Sequence, residues 1–175
     1  MDAIMTITPQ TNATLAEIAA VIRERDDFVI CGHVSPDGDC LGSQLALWHA
    51  LKAMGKNAAC VLVRDEPLED ALKFLPGVSS MVPAESYHGP CSVFVGLDVP
   101  SRERIGAATA LLDASTTSIT VDHHACDVTM CEYVYVDPDA ASASMLTVLS
   151  TAIQFNSLNA LAAVSSTPSI FRYSA

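Results

Sequence analysis

Apolar runs of strand length alternate along this chain with segments of helical periodicity, and that alternation indicates an α/β fold, a parallel sheet flanked by helices. Thr14 and Glu17 make a capping box ahead of Leu15, Ile18, Ala19 and Ile22 at helical spacing, so a first helix leads into a strand over Phe28–Cys31. A loop from His33 to Gly38 follows, then a helix over residues 39–54 closed by Gly55, and a strand over 58–63. Downstream, residues 69–74 and 102–112 read as helices, 92–97 (SVFVGL) as a fully buried strand, 119–121 and Tyr133–Val136 as further strands, and 142–155 as a helix. From Asn156 the pattern weakens, and residues 161–164 are the one strand-like stretch left.

At 175 residues the chain has the size of one domain that can bury a core without staples. Half of its residues are hydrophobic, yet no apolar run approaches the roughly 20 residues of a spanning helix, and the first residues lack the pattern of a secretory signal. The expectation is a soluble, cytoplasmic protein with no membrane partner. A net charge of −11 argues against a protein that grips long nucleic acid through its phosphates and favours small ligands. The six cysteines form no CxxC pair, and several lie in strand-like stretches, so they read as reduced core thiols.

Three acidic or histidine clusters each fall just after an expected strand: His33, Asp37 and Asp39 in GHVSPDGDCLGS, Asp98 in FVGLDVP, and Asp122, His123 and His124 in TVDHH. In open α/β sheets the carboxyl ends of the strands line the ligand crevice, so the clusters are expected to converge there. Carboxylates with imidazoles suit Mn²⁺ or a similar ion, and the pattern, without nearby cysteine ligands, argues against a thiolate zinc site. Each cluster also has a local reading. PDGD is a good turn sequence, and Asp98 suits the N-cap of a following helix. Gly38 and Gly42 would let backbone amides approach a phosphate at the start of the second helix. No Walker motif or GxGxxG fingerprint is present.

The segments GHVSPDGDCLGS, VGLDVPSRERIG and TVDHH, in this order and spacing, resemble motifs one to three of the DHH-family phosphoesterases. YVDPDAASAS further resembles the branch of that family that degrades very short oligoribonucleotides and dephosphorylates 3′-phosphoadenosine 5′-phosphate; the likeness runs from residue 15 to residue 150. The resemblance implies a two-metal centre in which His33, Asp37 and Asp98 hold one ion and Asp39, Asp98 and His123 the other, with Asp98 as the bridge. It implies that His124 faces the scissile phosphate and that Asp122 orients its neighbours. Mn²⁺ is the ion expected, with Mg²⁺ or Co²⁺ as substitutes, and the substrate is a short oligoribonucleotide or small nucleotide. The family leaves room for a homodimer.

The sequence departs from the family in two places. A fourth motif of the form TDTG would supply a further aspartate, and SSTPSIFRYSA resembles it through Phe171, Arg172 and Tyr173 but carries Thr167 at the aspartate position. Family members also continue into a smaller C-terminal domain, so residues 1–175 are expected to form an incomplete catalytic domain without it, hydrolysing phosphate esters weakly. Cyclic-dinucleotide hydrolysis and pyrophosphate hydrolysis are related alternatives, the second mildly opposed by DPDAASAS. A non-catalytic remnant that binds metal or nucleotide is the alternative of a different class.

Overall fold

A computed structural model describes residues 11–147 of the protein. Its strands are β1 (Phe28–Cys31), β2 (Ala58–Leu62), β3 (Val82–Pro83), β4 (Val93–Leu97), β5 (Thr117–Asp122) and β6 (Tyr133–Val136). All pair in parallel in one sheet of order β3-β2-β1-β4-β5-β6. The chain winds outward from β1 to β3, then returns to the other side of β1 as β4. The strand order therefore reverses between β1 and β4, which is where open parallel sheets leave a crevice at their carboxyl ends.

Side chains alternate along each strand, so the two faces of the sheet bury two different layers. Phe28, Ile30, Cys60, Val95 and Ile119 face one core with Ile18 and Ile22 of α1 (Leu15–Glu24) and Leu41, Leu45 and Leu51 of α2 (Gly38–Ala53). Val29, Cys31, Val61 and Phe94 face the other, with Ile105, Ala108 and Leu112. Each large aliphatic side chain taken from water here contributes about 1.5–3 kcal/mol. The helix starts follow the sequence: the Thr14–Glu17 capping box is formed, and Gly55, at φ 75°, lies just past the end of α2.

The expected helix over 102–112 is broken. It divides into 3₁₀ turns at Arg102–Arg104 and Gly106–Ala108, followed by α3 (Thr109–Ala114). Gly106 adopts φ 47°, which no right-handed helix can propagate, and a Cβ there would stand 2.7 Å from Val63 Cγ1. The stretch 69–74 forms a single 3₁₀ turn, Asp70–Leu72, with no buried residue to anchor a longer helix. Strand β3 was not expected; at two residues it sits at the sheet edge, where Pro83 forfeits no ladder bond.

The opposite edge, β6, is met by residues 11–13 rather than by another strand. The Asn12 and Ala13 amides donate to the Val134 carbonyl, Thr11 Oγ1 donates to Val136 O and accepts from Val136 N, and Asn12 Oδ1 accepts from Val134 N. A last helix begins at residue 143 and runs to 147, the end of the described residues. The remainder of the expected helix 142–155, the strand 161–164, and Thr167, Phe171, Arg172 and Tyr173 lie outside them. Among the described residues no helix is long and apolar enough to cross a membrane. All six cysteines are free, and burial pushes the Cys31 and Cys60 thiols up.

Candidate metal centre

The carboxyl ends of β1, β4 and β5 are adjacent in the sheet, so the residues just beyond them meet. Asp98, directly after β4, is at the middle: it is 2 % exposed and is held at φ 55°. A left-handed backbone on a non-glycine residue costs of order 1 kcal/mol or more and persists where the surroundings impose it. Here the Asp98 amide donates to Val121 O, tying the end of β4 to β5. Three imidazoles surround its carboxylate. His33 Nε2 lies 3.5 Å from Oδ2, while His123 Nε2 and His124 Nδ1 lie 3.5 and 3.4 Å from Oδ1.

Neighbouring groups fix how these rings face the carboxylate. A carbonyl can only accept, so His33 Nδ1 donates to Val34 O at 2.8 Å and His123 Nδ1 to Ala140 O at 3.3 Å. In its neutral form each ring then has Nε2, facing inward, as the nitrogen with the lone pair, as in metal-bound histidines. Asp98, with Cys40 beside it, pushes the His33 imidazole up to about 10, which marks a place where positive charge is favoured. Asp122 is wholly buried, and its Oδ1 accepts from the His123 amide (2.7 Å), the His124 amide (3.1 Å) and His124 Nδ1 (2.9 Å). That single oxygen sets the direction of both histidines and leaves Nε2 of His124 as its nitrogen for a ligand.

The two acidic residues of the first motif are placed differently. Asp39 Oδ2 is 3.6 Å from His123 Nε2, and its two oxygens accept the amides of Ala143 and Ser144 at the start of the last helix, each at 2.9 Å. Burial raises the Asp39 pKa, but the Ser144 and Ala143 hydrogen bonds outweigh it and hold the carboxyl below its usual range. Asp37 caps α2, its Oδ1 accepting from the Asp39 and Cys40 amides at 3.0 Å each, and stands 4.0 Å from His33 Nε2.

Whether these residues suit a cation can be judged from Asp98 itself. Its Oδ1 is buried without a hydrogen-bond partner, a costly state for a carboxylate oxygen unless something else pairs with it. The 3.4–3.6 Å separations from the ring nitrogens are long for hydrogen bonds. They match the spacing of ligands on a common ion, because bonds of about 2.1 Å put neighbouring donors about 3.0–3.5 Å apart. Asp98, Asp122, His123 and His124 form one group of donor atoms within 4.8 Å of one another, and His33, Cys40 and Asp98 form a second. The donor set fits divalent metal.

The sequence profile of the DHH family, N-terminal domain, matches residues 27–166, a span that contains all six strands and every one of these side chains. The chain belongs to the DHH family. It is 32% identical over 117 residues to the bifunctional oligoribonuclease and PAP phosphatase NrnA of Thermus thermophilus, covering 67% of this chain and 34% of that protein. A protein of the same description from Mycoplasma genitalium is 48% identical over 44 residues, 25% of this chain and 14% of the relative. The chain thus spans well under two thirds of the relatives it matches. The crystal structure of an exopolyphosphatase-related protein from Bacteroides fragilis superposes with a TM-score of 0.71 at 27% identity, over 80% of this chain and 43% of that one.

Within this DHH fold, His33, Asp39, Asp98, Asp122, His123 and His124 come together, and Asp37 stands at the rim with its side chain 67% exposed. The turn reading of PDGD is also realised, since Asp37 is an N-cap. Asp98 caps nothing: the next helical turn has Ser101 before it and no side-chain cap. Of the amides at the start of α2, those of Asp39 and Cys40 are taken up by Asp37. The expectation that no cysteine lies near the donors is corrected. Cys40 is buried beside His33 and Asp98, one residue after Asp39, a position its sequence neighbours signalled only through helical geometry.

Gly32 allows this packing. A Cβ there would stand 2.2 Å from Cys40 Sγ and 2.6 Å from Gln44 Nε2, both fully buried. Gly32→Ala is expected to destabilise the fold by about 1–3 kcal/mol through overpacking. A urea midpoint equal to that of the wild type would refute it.

Proposed function

We propose that this chain is a metal-dependent phosphoesterase of the short-oligoribonucleotide and nucleoside-bisphosphate kind, acting in the cytoplasm on diribonucleotides and on 3′-phosphoadenosine 5′-phosphate. The observation that carries the reading is the buried Asp98 carboxylate among three imidazoles at the reversal of strand order. The names of the NrnA relatives supply the substrate class. His33, Asp37 and Asp98 would hold one ion, and Asp39, Asp98 and His123 the other, with Mn²⁺ as the first choice. Two such ions supply an activated water and neutralise charge on the phosphoryl group.

The remaining work falls to the chain. His33 and His123 are kept as lone-pair donors by the Val34 and Ala140 carbonyls. Asp39 joins the centre to the last helix, so the DPDAASAS segment is drawn to the site by the same carboxylate. Asp122 aligns His124 through Nδ1, and Nε2 of His124, when the ring is an imidazolium, donates to an oxygen of the phosphoryl group as charge builds on it.

The test is product release with Mn²⁺ from a diribonucleotide, 3′-phosphoadenosine 5′-phosphate, a cyclic dinucleotide and pyrophosphate, each with and without chelator. Hydrolysis of the first two that stops with chelator is expected. Turnover confined to the cyclic dinucleotide or to pyrophosphate would move the chain to another branch of the family, and metal binding without turnover of any of the four would leave a binding module.

A further inference from the structure

Between the loop that carries His33 and Asp37 and the segment that follows β2 lies a cleft of about 230 Å³. One wall is Ser35 with Pro36, the two residues just before Asp37, so the cleft adjoins the metal centre. β1 and β2 are neighbours in the sheet, and the cleft opens on its carboxyl side, where ligands of such sheets bind. This wall has an imposed shape: Ser35 is held at φ 57°, and the Val34 amide donates to Arg104 O at 2.8 Å. Pockets that enclose a whole drug-sized ligand run to roughly 300–1,000 Å³. This one is smaller, and suits one end of a substrate whose phosphate lies at the strand ends.

The opposite wall combines the apolar surface of Leu62, Pro67 and Leu68 with the Arg64 guanidinium. Arg64 pairs with Glu66 at 3.4 Å, so those two charges offset each other. Glu69, also on the cleft, has no ion pair among the described residues and leaves the cleft net negative. A second phosphate would be repelled there, whereas an uncharged ring that donates N–H would not. Guanidinium planes stack on nucleobases. A carboxylate can only accept, and adenine, cytosine and guanine carry an amino group that uracil lacks.

We propose that this cleft holds the nucleobase of the substrate, with Arg64, Pro67 and Leu68 against the ring and Glu69 accepting from its amino group, so that amino-bearing bases are preferred over uracil. It rests on the reading of the strand ends as a metal-dependent phosphoesterase centre.

Calorimetry on the whole chain loaded with Mn²⁺, titrated with AMP, UMP and inorganic phosphate, tests this. AMP should bind about 10-fold more tightly than either UMP or phosphate, the worth of one hydrogen bond to a charged group. Arg64→Ala should weaken AMP and UMP alike by about 2- to 5-fold, the size of an exposed cation–π contact. Glu69→Ala should abolish the preference for AMP over UMP. Both side chains are exposed, so neither change disturbs the core, and Mn²⁺ and phosphate binding should stay at the wild-type level. AMP bound no better than phosphate or UMP by the wild type, or a preference that survives Glu69→Ala, overturns the base cleft, while intact Mn²⁺ and phosphate binding leaves the metal centre standing. Binding of neither Mn²⁺ nor phosphate overturns both.

Discussion

Asp98→Ala is expected to remove Mn²⁺ binding and turnover together, more completely than any other single substitution in the chain. Losing an outer support of a metal site commonly costs about 10- to 100-fold in affinity or activity, and Asp98 is no outer support. Its two oxygens face His33 on one side and His123 and His124 on the other, from a buried position at the middle of the donors. An alanine there leaves each half short of an anionic ligand, so the loss should exceed that range. Calorimetry with Mn²⁺ and metal analysis after gel filtration provide the measurement. Equal affinity in wild type and variant would remove the basis for the site.

His124→Ala should separate metal content from chemistry. Its Nδ1 donates to Asp122 at 2.9 Å, and its side chain, 46% exposed, is the most open of the three imidazoles. A positioned donor to a reacting group contributes typically about 10²- to 10⁴-fold in rate, and kcat on a diribonucleotide should fall by that order. Metal content should stay at the wild-type level, whereas His123→Ala, which removes a nitrogen facing both Asp39 and Asp98, should lose metal. Equal metal loss in the two variants would show that the pair is wrongly divided.

Both substitutions concern residues legible without coordinates, because the end of a strand is a local signal. The apolar run SVFVGL and the Asp that ends it state both an element and a place in the sheet, and TVDHH does the same for β5. What the sequence did not state are relations across distance. The amides of Ala143 and Ser144 reach Asp39 across more than a hundred residues, and nothing local in either segment names the other. Cys40 was passed over for a similar reason: its nearness to Asp98 depends on Gly32 and on the pairing of β1 with β4. The break at Gly106 goes with the close fit of its backbone against Val63, a distant residue just beyond the end of β2.

The side chains of Thr11 and Asn12 carry a consequence for how copies of this protein behave in concentrated solution. A sheet margin with free ladder groups is a template for further strands, and proteins blunt it with proline, short strands or a covering segment. One margin here ends in a two-residue strand containing Pro83, and the other has its Val134 and Val136 groups taken up by Thr11, Asn12 and Ala13. Among the described residues, the β6 margin therefore leaves neither Val134 nor Val136 open for a second chain to continue the sheet. Continuation of the sheet past β6 is blocked for as long as that short segment stays in place, and removing residues 11–13 would free those backbone groups.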